Sequence, residues 1–398
     1  MKLIASSWKA WLLACLFGGL GMASQAQPGA TESSAPAPAG SEPVTSAQAA
    51  LRMASPGASQ PASQPAEVVH RWAAIPRVFG RLKASDVGVV INTDNPYSVQ
   101  VGEYYIKARQ IQPEHVLRLR FPVKPVLTRS EFEPLFKRVQ GSFGPEVQAL
   151  ALAWRFPYAV ECNSITGALT LGFDPQLCVK TCAVSRTSPY FGSASVKPFS
   201  DYGMRLSMLL AARDVDEAES LIDRGVRSDD TLGRKGAPPV NVHFVTTSDS
   251  VRSRRQILFP PPGMVPSFGV DVHLDHTDAL RDADRVLMYL TGKERVRGLD
   301  SVHFVPGALA DHLTSFGGML DDAHGQMSVL SWIDAGATAT YGTTSEPCAH
   351  LQKFPHPQAL LLFYLSGGTA IESYWKSVRW PQQGLFVGEP LAAPFARN

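Results

Sequence analysis

Four runs of Val, Ile, Leu and Ala recur at wide intervals: Asp86–Asn92 (DVGVVIN), Val147–Trp154 (VQALALAW), Val240–Thr246 (VNVHFVT) and Arg285–Leu290 (RVLMYL). The first meets a polar turn at Thr93-Asp94-Asn95-Pro96 and the last at Thr291-Gly292. A strand with one wet face alternates apolar and polar residues; near-continuous apolar runs read as strands covered on both faces, the habit of parallel sheets. Helical patterns fill the intervals. Ser98 is the expected N-cap of a helix over Val99–Arg109, whose Val101, Tyr104, Tyr105 and Ala108 share a face. Further helices are predicted over Ser130–Gln140, Val215–Arg224 (stopped by Gly225), Gln326–Ala335 (stopped by Gly336), Pro357–Leu365 and Thr369–Val378. His115–Phe121, Ala337–Tyr341 and Gly384–Val387 add strands. Strand and helix alternate throughout, so the expected class is α/β: a mostly parallel sheet flanked by helices, with right-handed crossovers.

The N-terminal segment sets an expectation about compartment. Lys2 and Lys9, the apolar Ala10–Met22 and the small-x-small Ser24-Gln25-Ala26 read as a signal peptide over residues 1–26, and no later run is apolar for long enough to span a membrane. Residues 27–67 are rich in Ala, Pro, Ser and Gln with few large apolar side chains, so they read as a disordered tether. Residues 68–398 then form the α/β domain, with a division into lobes 68–200 and 201–398 left open. An exported, periplasmic or extracellular protein is expected.

Charge and cysteine content narrow the partners. With 37 Lys and Arg against 35 Asp and Glu, the formal charge is +2 and well mixed, which leaves no basic footprint for nucleic acid. Cys15 departs with the leader, leaving Cys162, Cys178, Cys182 and Cys348. An even number in an oxidising compartment points to disulfides, and four cysteines allow three pairings that the sequence does not separate.

Candidate chemistry gathers between Pro306 and His350. Asp311-His312-Leu313-Thr314-Ser315 ends one apolar run, and Glu346-Pro347-Cys348-Ala349-His350 follows another. In open α/β sheets, sites form where strands run out into loops. His312 offers a base and Thr314 or Ser315 a hydroxyl. Alternation along a strand would place His312 and Thr314 on one face and Asp311, Leu313 and Ser315 on the other. Cys348 stands two residues from His350 and two from Glu346, which suits either an activated thiol or one half of a disulfide. His273-Leu274-Asp275-His276-Thr277-Asp278 has a metal-like composition, but Thr277 and Asp278 also suit a helix start, and no metal is assigned there. Thr93–Ser98 lacks the glycines of a phosphate cradle, so no cofactor is expected.

Several segments carry a resemblance: Val89–Ile111 (VVINTDNPYSVQVGEYYIKARQI), Leu221–Asp229 (LIDRGVRSD), Pro306–Gly318 (PGALADHLTSFGG), Ala335–Cys348 (AGATATYGTTSEPC) and Gln383–Phe395 (QGLFVGEPLAAPF). In these the chain resembles a family of exported bacterial proteins found in exosortase-carrying species, a family that assigns no activity. The C-terminal half distantly resembles the gingipain-like, caspase-type cysteine peptidases. That likeness implies a three-layer α/β sandwich, a catalytic His after one strand, a catalytic Cys after the next, and a late Gly-Asp-Pro-like turn. Here Thr291-Gly292 stands where His-Gly would, Thr314-Ser315 where Cys would, and Glu389-Pro390 at the late turn. A thiolate–imidazolium dyad cannot be made from Thr and Ser without another base. Two readings follow. In one, an atypical hydrolase uses His312 as base, Thr314 or Ser315 as nucleophile, and Glu346 or Glu389 to orient, acting on a peptide or exported protein. In the other, the same fold is a non-catalytic peptide- or surface-binding module.

Overall fold

A computed structural model describes residues 69–321 and 324–397. The leader expected over 1–26 lies outside the described residues, as does the tether of 27–67. Strand β1 (Val87–Asn92), buried along its whole length, passes into helix α1 (Pro96–Arg109) and then β2 (Val116–Leu119). β3 (Val126–Leu127), α2 (Arg129–Ser142) and β4 (Ala149–Leu152) follow. An excursion then holds β5 (Ala159–Val160), β6 (Asn163–Ser164), α3 (Ile165–Leu171), α4 (Gln176–Val179) and α5 (Pro198–Tyr202). The alternation resumes with β7 (Leu206–Leu209), α6 (Val215–Ser228), β8 (Val240–Thr246), β9 (Gly263–Val265), β10 (Val270–His276), β11 (Ala283–Thr291) and β12 (Val302–His312). It closes with α7 (Leu330–Asp334), β13 (Ala339–Thr343), α8 (Pro357–Leu365), α9 (Ala370–Ser377) and β14 (Gly384–Gly388).

Among the described residues eleven strands make one sheet in the order β2-β1-β4-β7-β14-β13-β12-β11-β8-β10-β9, and β3, β5 and β6 form a small second sheet. The large sheet is mostly parallel: β9 runs antiparallel to β10, and β14 antiparallel to β13. It crosses residue 200 without a break, because β4 pairs with β7 from Ala149↔Leu206 to Leu152↔Leu209. The expected α/β class is therefore present, with helices flanking the sheet. Trp154, Trp332 and Trp375 are among its largest fully buried side chains. Among the described residues no helix is long and apolar enough to cross a membrane.

Local chemistry moved several boundaries. The cap of α1 is Asn95, not Ser98. Pro96 occupies the first helical position, where a missing N–H costs nothing, and the Asn95 side chain accepts from the Tyr97 N–H. Ser98 is buried in the first turn, and its hydroxyl accepts from the Asn92 N–H at 2.8 Å. Gly225 does not stop α6, which runs on to Ser228. A Cβ at Gly225 would lie 2.6 Å from Glu389 Cβ, so this glycine makes room for a side chain rather than a turn. The helix expected over Gln326–Ala335 shrinks to Leu330–Asp334, because Gln326 and Met327 serve the loop after β12 instead. Thr277 and Asp278 do not open a helix. Asp278 accepts from the Ser248 N–H and hydroxyl and pairs with Lys293 at 2.8 Å.

These connections put several strand ends together. Arg155, beyond β4, donates through Nε to the Leu320 carbonyl beyond β12 at 3.1 Å. Thr343, the last residue of β13, donates to the carbonyls of Thr314 and Ser315 at 3.1 and 2.8 Å. The antiparallel β14 returns to the opposite edge, where the Glu389 N–H meets the Thr338 carbonyl just before β13.

Candidate functional site

Three segments wall a cleft of about 270 Å³ at the edge where β12 and β13 end. The first is the loop after β12. The Leu313 N–H still reaches the Thr291 carbonyl at 2.9 Å, and the chain then turns through Thr314–Gly318. A Cβ on Gly318 would sit 2.6 Å from the Gly342 carbonyl oxygen, so only glycine lets this loop lie on β13. The second is a 3-10 turn, Arg252–Leu258, that follows β8. Arg252 pairs with Asp249 at 2.7 Å and donates through Nε to Thr314 Oγ1 at 3.2 Å, tying the turn to the loop. The third is Glu346–Ala349, anchored by the disulfide between Cys182 and Cys348. Cys348 and Ala349 take left-handed backbone angles, φ 56° and 51°.

Thr314, Ser315, Glu346 and Cys348 line this one cleft. Their chemical states differ. Thr314 is buried and its hydroxyl is engaged, donating to Gln326 Oε1 at 2.7 Å. The Ser315 hydroxyl has no hydrogen-bond partner among the described residues. Glu346 accepts from the Cys348 N–H at 2.7 Å. Cys348 has no thiol, because its sulfur is bonded to Cys182; Cys162 and Cys178 form the second disulfide.

His312 and His350 do not join them in the lining. His312 is buried, with both ring nitrogens committed: Nδ1 accepts from the Trp332 indole N–H at 2.9 Å, and Nε2 donates to the Met327 carbonyl at 3.0 Å. That pattern fixes a neutral imidazole. Burial pushes its pKa down to about 3, the Met327 contact opposing and the Arg255 and Arg252 charges adding to the fall. A base needs a free lone pair, and His312 has none to offer. His350 faces the Cys182 carbonyl at 3.2 Å and the edge of Trp380. Asp311 is fully buried against Arg255 Nη2 at 2.5 Å. The angles at this contact are poor for a hydrogen bond, and both carboxylate oxygens otherwise lack one. Burial raises the Asp311 pKa, with Arg255 opposing.

Glu389 stands elsewhere. It is buried near the start of β13 and forks onto Arg109, with Nε–Oε1 at 3.0 Å and Nη2–Oε2 at 2.6 Å; Arg109 also pairs with Asp229. Some five strand residues separate it from the cleft, roughly 16 Å of extended chain. Thr291, at the place of the expected His, is buried and donates to the Val245 carbonyl at 3.2 Å.

Three lining residues were not anticipated, Val251 and the cationic Arg252 and Arg254. The signal for the two arginines was an Arg-rich run (RSRR, Arg252–Arg255) directly after a parallel strand and its Thr247-Ser248-Asp249 turn. Away from the cleft, His243 and His273 stack at 4.7 Å on neighbouring strands, 14° from parallel. Parallel rings aim their lone pairs side by side rather than at a common point. Among the described residues no three His, Cys, Asp or Glu side chains converge as a metal site. The chain was compared with family models, curated proteins and solved structures, and none of the three comparisons gave a match.

Proposed function

We propose that this chain is an exported, non-catalytic binding module that receives a peptide of another exported or envelope protein in the cleft beside Ser315. The motifs from Val89 to Phe395 support placement with the exported proteins of exosortase-carrying species, and the parallel sheet is compatible with a degenerate gingipain-like fold. One observation carries the choice of binding over hydrolysis. The cleft holds a free hydroxyl at Ser315, but among the described residues that line it none offers an imidazole, an amine or a free thiol. A serine hydroxyl needs an adjacent base to attack a carbonyl. The one carboxylate among the described lining residues, Glu346, accepts from the Cys348 N–H and makes no hydrogen bond with Ser315. The walls suit binding: Val251, Leu313, Pro347 and Ala349 offer apolar surface, and Arg252 and Arg254 offer cationic donors.

The test pairs a fluorophosphonate probe for reactive serine with a peptide-library pull-down on the same protein. No covalent labelling together with peptide capture is expected. Labelling that disappears in Ser315→Ala would overturn the binding reading and restore the hydrolase.

A further inference from the structure

We infer that the cleft captures the C-terminal carboxylate of a peptide, with Arg254 as its anchor and Ser315 as a second donor. This rests on the binding reading above and names the group recognised. Charge bookkeeping around the walls singles out Arg254. Arg252 is neutralised by Asp249 at 2.7 Å and holds Thr314 with its Nε. Arg254 lines the same cleft, is exposed, and has no hydrogen bond or ion pair to any described residue. A guanidinium left without a carboxylate in a concave site presents a planar fork matched to one. The Ser315 hydroxyl, likewise unpartnered, stands in the same lining.

Size and surroundings favour a chain end over the middle of a chain. About 270 Å³ lies below the usual range for drug-sized ligands and suits one terminal residue with its carboxylate. Val251, 59% exposed, supplies apolar contact for that residue's side chain. Glu346 in the same lining disfavours a multiply charged anion such as phosphate, while a single carboxylate can pair with Arg254 alone. Capture of a terminal carboxylate is an established mode of peptide recognition.

Fluorescence polarisation on the full chain tests this with three fluorescein-labelled probes: Gly-Gly-Ala-Leu as the free acid, the same peptide as its C-terminal amide, and Gly-Asp-Ala-Leu amide, which moves the carboxylate to a side chain. The free acid should bind at least tenfold more tightly than either amide. Arg254→Gln should abolish that ratio, while Arg254→Lys keeps part of it. Because Arg254 is exposed and unpartnered, both variants should fold. Equal binding of acid and amide would overturn the terminal-carboxylate assignment and leave the binding module standing. Equal binding of the acid and the aspartyl amide would replace the chain end by a side chain. Failure of all three probes and of the library pull-down would sink the binding reading itself.

Discussion

The two disulfides close loops of very different size, and that difference predicts unequal losses on removal. Cys162–Cys178 spans 16 residues and Cys182–Cys348 spans 166. A cross-link restricts the unfolded chain, by an entropy that grows with the logarithm of the loop it closes. At room temperature this amounts to about 3 kcal/mol for the short loop and about 5 kcal/mol for the long one. The loops follow one another without overlap, so each is counted independently, and the difference is (3/2)RT ln(166/16), about 2 kcal/mol. On the folded side little need change, because neighbouring hydrogen bonds hold the same loop. Lys353 Nζ donates to the Thr181 carbonyl at 2.6 Å, and His350 faces the Cys182 carbonyl at 3.2 Å.

The clean comparison is Cys182→Ala/Cys348→Ala against Cys162→Ala/Cys178→Ala, since each double replacement leaves no stray thiol. Urea unfolding followed by the fluorescence of buried Trp154, Trp332 and Trp375 reports the free energy. The long-loop variant should lose the more, and its m-value should rise as its unfolded state expands. Spread over about 330 residues, a loss of about 5 kcal/mol lowers the melting temperature by roughly 7 °C. Equal losses, or a smaller loss for the long loop, would refute the reasoning. They would place the stabilisation in native contacts around the sulfurs instead of in the unfolded chain.

Three further outcomes follow from buried groups. Asp311→Ala leaves Arg255 charged and unpaired in the core and should cost about 3–5 kcal/mol by urea unfolding; Asp311→Leu combined with Arg255→Met should recover most of it, and no recovery would show that the pair is not what the core lacks. His312 has a folded pKa of about 3, below the unfolded value of about 6.5, so its contribution is complete above pH 6.5 and is lost as pH falls toward 3, at up to about 1.4 kcal/mol per pH unit. His312→Gln, which can still accept from Trp332 and donate to Met327, should flatten the urea-derived stability between pH 6 and 4 by about one proton, and an unchanged slope would exclude His312 as the source. Gly225→Ala should cost about 1–3 kcal/mol, because the new methyl meets Glu389 while Arg109 holds that side chain in place; a melting temperature equal to that of the native chain would contradict this packing.

Much of the fold was legible because burial on both faces writes a simple pattern. Val240–Thr246 is a strand residue for residue, bracketed by Pro238-Pro239 and by the turn residues Thr247-Ser248-Asp249. Glycines were harder to read. Gly336, at φ 106°, ends the helical segment before β13, whereas Gly225 sits inside α6. A glycine needed for backbone freedom and one needed for space look alike until Glu389, 164 positions later, is known to press against it. The convergence of Thr314, Ser315, Glu346 and Cys348 was legible because parallel strands deliver their ends to one edge. Arg254 was not, since an exposed arginine in a short 3-10 turn leaves no periodic trace.

The residues that read most like catalytic machinery show why composition alone misleads at a strand end. Asp311 and His312 are adjacent, and in a strand adjacency means opposite faces. Each side chain then met a different interior. Asp311 found Arg255 from the turn after β8, and His312 found the Trp332 indole from α7. Once buried, each was claimed inside the protein, Asp311 by the charge of Arg255 and His312 by two hydrogen bonds, and neither lines the cleft. The two residues just beyond escaped that demand to different degrees. Thr314 is still held, by Gln326 and Arg252, and only Ser315 reaches the cleft with its hydroxyl unclaimed. A chain that spends Asp311 and His312 on holding a strand end, and Cys348 on a disulfide, leaves Ser315 as the unclaimed hydroxyl at the edge where β12 and β13 end.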